Sequence, residues 1–72
     1  MAESSQIREL ADLFGEVTGR FLVETEHKAE LARAIEDRES LVKEQIKQEV
    51  LKSVRAIFEV NYKRITGDEP WR

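Results

Sequence analysis

The stretch Glu36-Asp37-Arg38-Glu39-Ser40, EDRES, decides between a rod and a hairpin. On both sides the residues are strong helix formers, and no glycine or proline interrupts the 47 residues between Gly19 and Gly67. An unbroken helix over residues 26–66 would run about 60 Å. A new start capped by Asp37 or Ser40 would instead send a second helix back along the first. The return is the favoured reading, because it covers an apolar seam on the first helix that otherwise needs a partner.

That seam comprises Ile7, Leu10, Phe14, Val17 and Phe21, alternating three and four residues, with Ala11 and Leu22 widening the same side. The helix is expected to start after Ser4 or Ser5. The five polar residues Glu24 to Lys28, ETEHK, then interrupt the stripe before Leu31 and Ile35 resume it. Thr25 followed by Glu26 offers a second start there. The expected fold is therefore all-α, a helical hairpin or a short three-helix chain over about 4–22, 26–37 and 40–66. Residues 1–72 form one small helical domain, with 1–4 and 68–72 as terminal segments. Opposite-charge pairs at i, i+4 support helix throughout, among them Arg8–Asp12, Glu16–Arg20, Arg33–Asp37, Glu39–Lys43, Arg55–Glu59 and Glu59–Lys63.

The last helix carries a narrow stripe, Val42, Ile46 and Val50, which widens beyond Val50 to about 200° of the helical circumference. Leu51, Val54, Ile57, Phe58, Val60, Tyr62 and Ile65 fill that arc. A helix wetted on one side needs about half this width, so residues 50–65 are expected to meet two neighbours. Size points the same way. Surface scaling gives a chain of this mass roughly 12,000 Å² unfolded and about 4,600 Å² when compact. The resulting apolar burial contributes on the order of 110 kcal/mol, against roughly 105 kcal/mol of ordering entropy. With no cysteine for a disulfide, self-association is the available stabiliser. The oligomer is expected to be a homodimer with a shared, coiled-coil-like bundle that also binds another protein. Phe14, Val17, Phe21, Val54, Ile57, Phe58, Ile65 and Trp71 are the expected assembly residues.

The ending TGDEPWR has its own grammar. Gly67 stops the helix in the left-handed conformation, Pro70 prevents its resumption, and Trp71 is expected to tuck against Phe58, Tyr62 and Ile65 of its own subunit or its neighbour's. Gly15 and Gly19, at G-x-x-x-G spacing, read either as a close helix approach at a dimer contact or as a flexible end to the first helix, with Gly19 its cap.

Chemistry-bearing patterns are sparse. Glu24 and His27 make a Glu-x-x-His pair, which on one helical face can supply half of an oligomeric di-metal carboxylate oxidase. The same pair reads more simply as a solvated patch. Arg55, Lys63 and Arg64, beside Phe58 and Tyr62, offer a route to nucleic acid by charge and stacking, and a small regulator of that kind is the alternative function. Interleaved acids and a net charge of −3 argue against it. No nucleophile arrangement and no phosphate-cradling glycine loop is present, so neither catalysis nor a cofactor is expected. The amino-terminal residues lack a basic start followed by an apolar run, and a cytoplasmic location is the expectation.

Overall fold

The computed structural model describes residues 2–71 and is all-helical among them: α1 runs Ala2–Ala34 and α2 runs Arg38–Thr66. The two pack side by side as an antiparallel hairpin measuring 52 × 16 × 15 Å. The three-helix alternative is not what forms. α1 passes without a break through Gly15, Gly19 and the ETEHK segment, and it is already under way ahead of Ser4 and Ser5. Gly19 and Thr25 therefore cap nothing. Thr25 is buried against α2, and its hydroxyl donates to Leu22 O at 2.8 Å, within its own helix.

The break falls inside EDRES, through two devices sharing one residue. Glu36 takes a left-handed backbone (φ 58°), and the amides of Glu36 and Asp37 close back on Arg33 O and Ala32 O at 3.2 and 2.8 Å. This pattern satisfies the last carbonyls of α1. Asp37 is then the N-cap of α2, accepting from Ser40 N at 3.1 Å and from Ser40 Oγ at 2.7 Å. These bonds from Ser40 hold the Asp37 carboxyl below the usual carboxylate range.

The interhelical seam is not the one that hydrophobicity suggested. On α1 it is Ala11, Gly15, Thr18, Leu22, Thr25, Ala29 and Ala32, spaced alternately four and three, all buried except half-buried Leu22. On α2 it is Leu41, Glu44, Gln48, Leu51, Arg55, Phe58 and Tyr62, with the same alternation. That repeat of 3.5 residues is the period of helices wound around one another. Small side chains on α1 let the long side chains of α2 lie across its backbone. Of the expected seam Phe14 is drawn in, where it stacks on Phe58 with ring centroids 4.4 Å apart, together with the flanking Ala11 and Leu22, while Ile7, Leu10, Val17 and Phe21 stay outside.

One seam residue is poorly served. Glu44 is buried, and although its Oε1 pairs with Lys47 Nζ at 3.1 Å, its Oε2 has no hydrogen-bond partner. Removing an unsatisfied buried acceptor recovers about 1–2 kcal/mol. Glu44→Met is therefore expected to raise the urea midpoint at fixed protein concentration. Asp37 gives a pH prediction of definite sign. Its folded pKa is depressed, so its contribution is complete above the unfolded value of about 4 and is lost as pH falls through the lower folded value. Asp37→Asn, which keeps a capping acceptor, should shrink the loss of helicity in acid titrations.

Candidate functional site

Two features are built around the hairpin: a carboxy-terminal segment inserted between the helices, and an apolar face left uncovered. The segment starts at Gly67, which caps α2 at φ 79° with its amide on Lys63 O at 2.7 Å. Thr66 Oγ1 accepts from Asp68 N at 3.1 Å and turns the chain. Lys63 Nζ pairs with Glu69 at 2.8 Å, and Arg8 Nη1 donates to Glu69 O at 3.2 Å and to Tyr62 Oη at 3.3 Å. The Lys63 pairing holds the Glu69 carboxyl low and the Lys63 ammonium high. Pro70 is fully buried.

Trp71 enters between the helices. Its indole Nε1 donates to Ala11 O at 2.8 Å, and its ring lies parallel to Phe58 and Phe14 at 5.4 and 6.0 Å. The Arg55 guanidinium sits 4.5 Å from the ring centroid. Arg55 also donates to Gly15 O at 2.9 Å and to the Thr18 hydroxyl, which in turn donates to Phe14 O at 2.6 Å. Gly15 is the seat of the indole, since a Cβ there would stand 2.1 Å from Trp71 Nε1. At Gly19 the nearest atom to such a Cβ is Arg55 Nη1 at 3.7 Å, an ordinary contact. The expected meeting of Trp71 with Phe58 is thus observed, within one chain. Ile65, expected to be covered, is 74% exposed.

The uncovered face follows from the periodicity. Leu10, Phe14, Val17 and Phe21 each precede a seam position of α1 by one residue, about 100° around the helix. Val50, Val54 and Ile57 precede seam positions of α2 in the same way. In an antiparallel hairpin equal offsets of the same sign fall on one side, and the Phe14–Phe58 stack joins the two rows there. Ile7 extends the α1 row, whereas Ile65, seven residues beyond Phe58, falls in line with the seam. On the opposite flank the Arg8, Lys63 and Glu69 contacts hold the tail, which leaves this face clear. Leu10, Phe21, Val50 and Ile57 are all more than half exposed. At roughly 150–200 Å² for each fully exposed large side chain, the face presents on the order of 600 Å² of apolar surface, at the upper end of the largest patch on an ordinary monomer. The whole chain exposes 5815 Å², against about 4,600 Å² for a compact monomer of its mass.

The chain matches no protein-family model, no curated protein and no solved structure. The residues themselves therefore carry the reading. Of the expected assembly residues, Val17, Phe21, Val54 and Ile57 lie on the open face and Ile65 is exposed beyond the end of the seam, whereas Phe14, Phe58 and Trp71 pack within the hairpin. Of the three nucleic-acid candidates, Arg55 is turned inward and Lys63 is tied to Glu69, while Arg64 is exposed. Glu24 pairs with Lys28 at 2.9 Å, and His27 is exposed. Among the described residues no three His, Cys, Asp or Glu side chains converge as a metal site would require. No helix among them is long and apolar enough to cross a membrane. Gly15 and Arg55 are the residues whose importance sequence reasoning missed. Only the G-x-x-x-G spacing hinted at the first, and a lone arginine in an ion-paired helix hinted at nothing.

The two glycines give opposite expectations. Gly15→Ala should expel the indole, costing about 2–3 kcal/mol through lost packing and an unmade hydrogen bond, with a red shift of tryptophan emission. Gly19→Ala should stabilise by up to about 1 kcal/mol through helix propensity, with emission unchanged.

Proposed function

We propose that the chain is a small helical interaction protein without catalytic activity, which self-associates through the open apolar face and, so assembled, binds another protein. The observation that carries this reading is the continuous face of Ile7, Leu10, Val17 and Phe21 with Val50, Val54 and Ile57. Its area and its position on one side of the hairpin match what a helix pair presents to the rest of a bundle. A nucleic-acid role has less support, because Arg55 and Lys63 are committed within the fold. A metal-carboxylate oxidase has less still, because Glu24 is paired with Lys28.

Multi-angle light scattering tests the reading. The wild type should run at twice the 8.4 kDa chain mass at micromolar concentration. Ile57→Glu, outside the hairpin seam, should lower the affinity of the pair at least 100-fold, since a desolvated charge costs about 3 kcal/mol or more. Leu13→Glu, at an exposed apolar residue off this face, should leave the mass unchanged. A monomeric wild type at 100 μM (roughly the concentration at which a ~5 kcal/mol contact would be populated) would sink the proposal.

A further inference from the structure

We infer that the face closes on a second copy of this chain turned end for end, about a two-fold axis at the level of Phe14 and Val17 on α1 and of Val54 and Ile57 on α2. The inference rests on the self-association reading and adds the orientation and register of the pair. Its product is an antiparallel four-helix bundle from whose two ends the hairpin tips project.

The row itself supplies the first argument. Leu10, Phe14, Val17 and Phe21 are spaced four, three and four, a sequence of intervals that reads the same in either direction. Reversed on itself, the row lays Leu10 on Phe21 and Phe14 on Val17 of the second copy. The Phe14–Phe58 stack and the Arg55 bonds to Gly15 and Thr18 fix which level of α2 stands beside this centre. The same axis then lays Val54 on Ile57 at the centre and Val50 on Asn61 at the edge. Apolar residues therefore meet apolar residues along the α1 row and at the centre of the α2 row, in the self-complementary manner of an isologous contact.

Charge supplies the second. Immediately beyond Phe21 and Val50, towards the turn, the same side of the hairpin becomes ionic. Glu24 and Lys28 pair at 2.9 Å, Glu44 and Lys47 at 3.1 Å, and Glu39 and Lys43 at 3.6 Å. A parallel pair would press Lys28, Lys43 and Lys47 of one copy against the same lysines of the other. The reversed pair separates the two belts to opposite ends of the bundle.

Area supplies the third. The face offers on the order of 600 Å² per copy, against the roughly 800 Å² per partner buried in a stable interface. Closing it would remove about half of the chain's excess of exposed surface over a compact monomer.

The chain contains no cysteine, so Arg33→Cys, at an exposed residue near the turn, takes a single spin label. Arg33 stands about 17 residues from the axis along α1, so at 1.5 Å per residue the reversed pair separates the two labels by about 50 Å. A parallel pair places them about 20 Å apart. Dimeric mass with a pulsed dipolar distance near 50 Å, abolished by adding Ile57→Glu, is the expected result. Dimeric mass with the short distance overturns the orientation and leaves self-association standing. Monomeric mass overturns both, and a larger assembly with several distances overturns the closed pair.

Discussion

Everything in this fold depends on the gap that Gly15 leaves in the surface of α1. With no side chain there, α1 presents bare backbone, and Arg55 and the Trp71 indole use its carbonyl and the space above it. The Ala and Thr residues that continue the seam let side chains of α2 make a close approach to α1 along the hairpin, so dispersion contacts replace the burial of large side chains. Cost and gain are local. Two glycines inside a helix sacrifice about 1 kcal/mol each relative to alanine, offset at Gly15 by an aromatic layer of Phe14, Phe58 and Trp71.

The close approach also explains which parts of the structure were legible in the sequence. All-helical character and the break in EDRES were readable, because helix propensity, paired charges and the capping ability of Asp37 act locally. The Gly67 cap and the inward fold of Trp71 were readable for the same reason. The seam was not. Periodicity was scored on large apolar residues, and the hairpin is held instead by Ala11, Thr18, Thr25, Ala29 and Ala32, which carry little hydrophobic signal. The strongest apolar row, Ile7 to Phe21, belongs to the outer face. ETEHK looked like a break because it interrupts that outer row, while the seam passes through it unaltered at Thr25.

A polar seam and an apolar exterior invert the usual arrangement of a small domain. Thr18, Thr25, Glu44 and Arg55 lie between the helices, where each must find a partner, and Glu44 Oε2 does not. The hairpin contact therefore specifies geometry, through the hydrogen bonds of Arg55 and the Schellman-type turn, more than it supplies hydrophobic stabilisation. In the proposed assembly that stabilisation comes from the outer face, so folding and association would be coupled and apparent stability would rise with protein concentration.

The hairpin topology also fixes where the chain can be joined to anything else. α1 begins and the tail ends in the same half of the molecule, while the turn at Glu36 and Asp37 occupies the other pole. A fused segment at either end would leave from one pole and keep clear of the turn. In the reversed pair, segments borne by the two copies would emerge at opposite poles of one rigid strut, so the assembly would hold its cargoes apart by a length set by the helix rise.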